Sequence, residues 1–272
     1  MNILEKIVAR KQVEVEMSKK TKSISDLEKE TLFTRTSVSL YDALKVASIP
    51  KIISEFKRKS PSKGIINGNV LPEIVTADYV SAGAAALSVL TDIDFFGGSF
   101  DDFLKARKAN SAIPMLRKDF IIDEYQLFEA KSIGADIILL IAACLKPSEV
   151  ESLSKKAHDL GLEVLLEVHN SEELAQSLCD NIDIVGVNNR NLKTFETSIE
   201  TSIALSEQIP GSIVKISESG LSDAETILQL YYHGYKGFLI GETFMKTANP
   251  GAALADLQNN LLRINNRNPH IV

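Results

Sequence analysis

Four short apolar segments each run out into a charged or amide side chain. Glu55 and Lys57 close the first, Arg117 and Lys118 the second, Glu167 the third and Asn188 the fourth. Side chains two apart share one face of a strand, so Glu55 and Lys57 project together with Ile53. Burying unpaired charge is costly, and four such endings point to one shared polar site. A lysine and a glutamate held across that site, Lys118 and Glu167, could donate and withdraw protons in turn, each typically worth about 10²–10⁴-fold in rate. The same two residues also read as a structural ion pair across a rim, and the lysine as a Schiff-base nucleophile.

A second pattern concerns anions. Lys57, Arg58, Lys59 and Lys63 place four cations within seven residues of an acidic chain. Such a run is commonly a solvated loop. Here it follows an apolar segment, and its first cation shares a face with Glu55, as a polyanionic substrate would require. The glycines of Lys63-Gly64-Ile65-Ile66-Asn67-Gly68 suit a mobile flap. Further on, Ser217-Glu218-Ser219-Gly220 and Ile240-Gly241-Glu242-Thr243 are glycine turns that let backbone N–H groups approach a phosphate.

These residues need elements to hold them. Apolar runs at 51–56, 86–90, 114–118, 137–141, 163–167, 184–187, 213–217 and 238–240 read as strands. Amphipathic stretches at 72–82, 100–109, 124–133, 147–160, 172–178, 198–206, 223–231 and 251–262 read as the helices between them. Such alternation implies a parallel sheet, and eight units imply closure into an α/β (β/α)8 barrel, whose active sites lie at the C-terminal ends of the strands. An open doubly wound sheet is the rival, but no G-x-G-x-x-G follows the first strand. Pro72 and Pro147 sit where a first helical turn accepts proline. Gly83, Gly134, Gly161 and Gly234 sit where helices stop in the left-handed conformation. Residues 1–272 thus form one domain, of which 1–48 is an N-terminal helical extension. Ile3, Leu4, Ile7 and Val8 give that extension an apolar stripe, fit either to plug or flank the barrel or to act as a lid.

Bulk properties narrow the function. The chain has 272 residues, 44% hydrophobic and 24% charged, as globular proteins do. No apolar run approaches the roughly 18 residues of a membrane helix, and the charged N-terminus lacks a signal-peptide core. A cytoplasmic protein is expected, with Cys144 and Cys179 as reduced thiols. His158, His169, His233 and His270 are scattered without metal-ligand spacing, so a metal-free site is expected. The net charge of −6 disfavours nucleic acid as a partner. Barrels of this size occur as monomers and as homodimers, and no apolar face in the sequence stands out.

Six motifs in order now become specific. Ile53-Ser54-Glu55-Phe56-Lys57-Arg58-Lys59-Ser60-Pro61-Ser62, Leu116-Arg117-Lys118-Asp119-Phe120, Leu165-Leu166-Glu167-Val168-His169, Gly186-Val187-Asn188-Asn189-Arg190-Asn191-Leu192, Ser217-Glu218-Ser219-Gly220-Leu221 and Leu239-Ile240-Gly241-Glu242 closely resemble the indole-3-glycerol phosphate synthase family. The likeness spans nearly the whole chain. It implies a TIM-type barrel acting without external cofactor on 1-(2-carboxyphenylamino)-1-deoxyribulose 5-phosphate, a phosphosugar joined to anthranilate. It further implies Lys118 as general acid, Glu167 as general base, Lys57 on the substrate carboxylate, and Glu55 and Asn188 as orienting groups. Lys59, Ser60, Phe120, Arg190, Glu218 and Ser219 would line the substrate. Gly220, Gly241 and the backbone at Glu242 would hold the phosphate. Leu140 is a further candidate for the ring pocket, whereas Phe95 and Phe96 read as loop packing.

Two alternatives remain in view. Phosphoribosylanthranilate isomerase-like chemistry would need a Cys/Asp pair at strand ends, which Cys144 and Glu167 do not provide. A barrel that binds a phosphorylated ligand without turnover would have no use for both an acid and a base.

Overall fold

The computed structural model describes residues 2–192 and 194–267. Eight parallel strands close on themselves: β1 (Lys51–Phe56), β2 (Ala86–Leu90), β3 (Met115–Lys118), β4 (Ile137–Ile141), β5 (Glu163–Val168), β6 (Ile184–Asn188), β7 (Val214–Glu218) and β8 (Gly237–Ile240). Each pairs with its sequence neighbours, and β1 closes the ring by pairing with both β2 and β8. The expected (β/α)8 barrel is therefore the observed one. β6 and β7 each reach one residue further than the apolar runs implied, which brings Asn188 and Glu218 onto strands.

Period-two alternation divides every strand. Ile52, Phe56, Leu87, Val89, Ile138, Leu140, Val164 and Leu166 face outward into the layer between barrel and helices. Ile53, Ala86, Leu116, Ile137, Leu139, Leu165, Ile184, Ile216 and Leu239 fill the barrel interior. Following the inward set toward the C-terminal ends leads to Glu55, Lys118, Glu167, Asn188 and Glu218 in turn. The site is thus the last layer of the interior, built by the same alternation that builds the core.

The extension does two jobs, one at each end. Helix α1 (Ile3–Thr21) starts with a capping box in which Asn2 and Glu5 bond each other's backbone N–H. Its Ile3, Leu4 and Ile7 lie over the mouth, while Val15 packs with Leu27, Tyr125 and Phe128. After α2 (Ile24–Leu27), α3 (Leu40–Lys45) closes the opposite end, with Leu40 and Leu44 joining the interior cluster. Glu163, at the start of β5, accepts from the N–H groups of Leu40 at 2.9 Å and Tyr41 at 3.1 Å. Plug and cover are both present, on different helices.

The outer helices follow the expected alternation: α4 (Pro72–Ser81), α5 (Phe100–Ala109), α6 (Tyr125–Ser132), α7 (Pro147–Asp159), α8 (Ser171–Ser177), α9 (Glu200–Ser206), α10 (Ala224–Tyr232) and, after an additional short α11 (Glu242–Met245), α12 (Pro250–Arg267). The four glycines expected to stop helices do have positive φ. The glycine-bearing loop expected as a flap is a short antiparallel hairpin, Lys59–Ser60 with Gly64–Ile65. Its base is anchored by the Arg58 carbonyl, which accepts from Ile66 N–H at 2.8 Å and Asn67 N–H at 3.1 Å. The Arg58 guanidinium pairs with Asp102 on α5.

Below the barrel, Asp136 is fully buried and ties four segments together. It pairs with Arg35 and Arg107 and accepts from the N–H groups of Val38 and Met115, each at 2.8 Å. Asp136→Asn would leave Arg107 as a buried cation without its counter-charge. The expected loss is about 3–5 kcal/mol of stability, read as a lowered urea midpoint with an unchanged m value. A midpoint like wild type would mean the network contributes nothing net.

Candidate active site

Lys118 ends β3 pointing inward, and closure of the barrel brings two carboxylates to it across the mouth from strands that do not pair with β3. Its Nζ lies 2.9 Å from Glu167 on β5 and 2.7 Å from Glu218 on β7. Only 14% of its side chain is exposed. Beside this trio, Lys57 Nζ lies 2.6 Å from Glu55, as the shared face of β1 requires. Asn188 donates to Glu167 at 3.1 Å and accepts from the Arg190 N–H at 3.0 Å, which fixes its amide.

Two glycines make this density of charge possible. A Cβ at Gly186 would sit 2.5 Å from Glu218 Oε1, and one at Gly241 would sit 2.5 Å from Glu55 Oε1. Each glycine gives a carboxylate the volume that a side chain on the next strand would otherwise fill.

Burial and pairing split the two carboxylates on Lys118. Burial opposes the charge of Lys118, but Glu167, Glu218 and Glu55 together outweigh it and hold the ammonium protonated well above the ordinary lysine range. Burial also opposes ionisation of Glu167; Lys118, His169 and the Asn188 amide reverse that and keep it ionised. For Glu218 burial wins, with Glu167 and Glu55 adding repulsion, so its pKa is pushed up to about 7. Burial and pairing thus push the two carboxylates apart: Glu167 toward the ionised form of a base, Glu218 toward the protonated form of an acid.

His169 joins this set without having been expected there. Its Nε2 lies 3.5 Å from Glu167 and its Nδ1 lies 3.1 Å from Glu173 on α8. Burial lowers the affinity of the ring for a proton, but Glu173 and Glu167 raise it above the ordinary histidine value. The signal was in the sequence: Glu167 and His169 are two apart, and the strand runs on through Val168. His270 lies outside the described residues. Among the described residues, no group of three or more His, Cys, Asp or Glu side chains could hold a metal ion.

Above this floor opens a cavity of about 570 Å³. One wall is aromatic and aliphatic. Phe96 and Phe120 lie with ring centroids 5.9 Å apart, and Leu90 and Ile141 lie with them along the cavity. Phe96 thus belongs to the cavity lining, whereas loop packing was expected. Leu140 is corrected: it faces the outer layer, and its neighbours Leu139 and Ile141 face the cavity, because strand residues alternate.

The opposite wall carries the two glycine turns. Ser219 and Gly220 adopt φ of 68° and 72° in succession, a conformation costly for serine. The Thr243 hydroxyl donates to the Leu221 carbonyl at 2.8 Å and joins the turn after β7 to that after β8. The Glu242 side chain lies 3.7 Å from Lys63 and 3.8 Å from Arg190, so only its backbone is suited to an anion. Ser60, Phe120, Arg190, Ser219, Gly220, Gly241 and Glu242 all line the cavity. Lys59 does not: its Nζ donates to the Asp94 carbonyl at 2.6 Å.

A family model described as indole-3-glycerol phosphate synthase matches residues 4–268. The indole-3-glycerol phosphate synthase of Bacteroides thetaiotaomicron is 50% identical over 253 residues, covering 93% of this chain and 96% of that protein. That of Albidiferax ferrireducens is 40% identical over 259 residues, covering 94% and 98%. Among solved structures, 3-hexulose-6-phosphate synthase from Salmonella typhimurium superposes with a TM-score of 0.63 at 13% identity, over 78% of this chain and 99% of that one, a likeness of fold alone. With residues 4–268 matched by the family model and relatives this similar along almost all of both sequences, the chain belongs to the indole-3-glycerol phosphate synthase family.

Proposed function

We propose that the chain converts 1-(2-carboxyphenylamino)-1-deoxyribulose 5-phosphate to indole-3-glycerol phosphate, and that Lys118, Glu167 and Glu218 move the protons. The observation that carries this reading is the trio itself: one lysine Nζ within 2.9 Å of Glu167 and 2.7 Å of Glu218, below a cavity with an aromatic wall and a glycine-turn wall. An anthranilate ring fits the first wall and a sugar phosphate the second. No helix among the described residues is long and apolar enough to cross a membrane, and a cytoplasmic enzyme is part of this reading.

The chemistry sets what the residues must do. An aromatic carbon attacks the ribulose carbonyl, and the oxygen that gains charge takes a proton from Lys118. The carboxylate leaves as carbon dioxide and its bonding pair returns to the ring. The new hydroxyl then leaves as water, which requires a second proton, while a base removes one proton from the carbon that becomes C2 of the indole. Two protons in and one out make a net uptake of one per turnover, with no change that calls for a redox cofactor. Glu167, held ionised, is the base; Glu218, whose proton affinity burial raises, lies 2.7 Å from Lys118 and resupplies it. Lys57 takes the substrate carboxylate, with Glu55 holding its ammonium. Asn188 fixes Glu167, and the turns at Gly220 and Gly241 take the phosphate. Holding the ring over the carbonyl carbon supplies the geometric share of the rate.

Indole fluorescence after adding the substrate, with EDTA present, tests the assignment directly. Lys118→Ala should lower kcat by about 10²–10⁴-fold or more with an unchanged far-UV spectrum. Turnover at the wild-type rate removes Lys118 from the chemistry. Glu167→Gln should accumulate a ring-closed intermediate that has not lost water, and normal kinetics without that species removes Glu167 from the dehydration.

The protonation of Glu218 has its own signature. Its folded pKa of about 7 exceeds the ordinary 4.5, so the native chain retains a proton that the unfolded chain releases. Its contribution to stability therefore declines as pH rises through that window. In Glu218→Gln that decline is absent, so the Tm of the variant minus that of wild type should grow more positive between about pH 4.5 and 7 and level off above it. A pH-independent difference would place the proton elsewhere.

A further inference from the structure

Helix α1 carries a lysine that a surface extension has no reason to bury. Lys11 is 1% exposed. Its Nζ lies 2.9 Å from Asp119, 3.1 Å from Asp92 and 3.0 Å from Glu14. Burial works against this ammonium, but Asp119 and Asp92 outweigh it and keep it protonated. A buried ion needs such compensation, and removing one partner of the set leaves charge stranded.

The two aspartates are where this becomes functional. Asp92 follows β2 by two residues, and its other oxygen accepts from the N–H groups of Phe95 at 2.8 Å and Phe96 at 3.2 Å. Asp119 directly follows Lys118. It accepts from the Phe120 N–H at 2.8 Å and, on its other oxygen, from Thr91 at 2.6 Å and Arg117 at 3.0 Å. One ammonium on α1 therefore holds the two carboxylates that set the backbone of Phe96 and of Phe120. Those two rings form the aromatic wall.

We infer that Lys11 is a positioning residue for the aromatic half of the site: it clamps the loops after β2 and β3 so that Phe96 and Phe120 face one planar anionic ring, of the anthranilate class. The inference rests on the reading of the cavity given under Proposed function. It goes further in making the N-terminal helix a working part of ring recognition. The phosphate half, on the turns after β7 and β8, has no bond to Lys11, so the clamp acts on one half only.

The test is calorimetric titration of wild type and Lys11→Met with anthranilate and, separately, with inorganic phosphate. The variant should bind anthranilate about tenfold to hundredfold more weakly, the scale of a misplaced contact, while its phosphate affinity stays within about twofold. Should Lys11→Met fail to fold, Lys11→Met combined with Asp92→Asn removes one negative charge along with the positive one and is titrated in its place. An unchanged anthranilate affinity overturns the inference, as does a parallel loss of both affinities, which would mark Lys11 as a general stabiliser. Absence of anthranilate binding to wild type overturns it as well. Turnover is measured apart from these titrations, so a chain that binds both probes without making indole product would sink the proposed reaction and leave the clamp standing.

Discussion

Placing the Lys118 ammonium at the end of an apolar barrel is the constraint around which the upper half of the molecule is arranged. Moving an ion out of water costs several kcal/mol, and the attraction of a partner repays this only when geometry and extra hydrogen bonds are right. Lys118 therefore has Glu167 and Glu218 together, Glu167 has Asn188 and His169, and Asn188 has the Arg190 N–H. Well-packed apolar residues of the same volume would serve stability as well or better. A barrel that instead spends Gly186 and Gly241 on making room for carboxylates has been shaped by what those groups do.

Behind that layer lies another set of ions, on the outward side of the same strand. Arg117, buried between barrel and helices, pairs with Asp119 at 3.0 Å and Glu129 at 3.2 Å and donates to the Gln126 carbonyl at 2.7 Å. Residues 117 to 119 thus alternate out, in and out. Lys118 is fixed by its neighbours being fixed, with Asp119 tied in turn to Lys11 of α1. At the other end of the barrel, Asp136 and Glu163 are bonded to segments and helices and to no part of the mouth. The two ends divide the work: ionic contacts below hold the closure, and ionic contacts above hold the polar layer of the mouth.

Much of this was legible because one rule, alternation along a strand, governs both core and site. It places Glu55 with Lys57, while the common ending of apolar runs in polar side chains gathers Lys118, Glu167 and Asn188 at one site. Where it was applied loosely it failed: Leu140 was read as lining the ring pocket, although Leu139 and Ile141 have the inward phase. His169 was read among scattered histidines, although it has the phase of Glu167. Contacts between distant segments were out of reach. Nothing in the spacing of Lys11, Asp92 and Asp119 announces that they meet, because the meeting depends on how α1 crosses the mouth. Lys59 shows the reverse case, a cation in the right motif that turns to the Asp94 carbonyl when the hairpin forms. The extension could be read as plug or as lid because α3 packs into the lower end of the barrel while α1 lies over the mouth.

The same geometry explains how a chain with net charge −6 can select a substrate with two anionic groups. The cations that line the mouth are already matched to carboxylates of the chain: Lys57 to Glu55, Lys118 to Glu167 and Glu218, and Lys63 and Arg190 to Glu242. An anion entering the mouth must therefore replace a protein carboxylate as partner, which is a near-balanced exchange and not a net gain of charge. A ligand with one anionic group completes only half of it. On the proposed assignment, one with a carboxylate toward Lys57 and a phosphate toward the glycine turns would complete both, with its rigid ring between the phenylalanines holding the two in register. On that assignment discrimination would arise from the spacing of charges on the ligand, since the total charge of the site offers so little attraction.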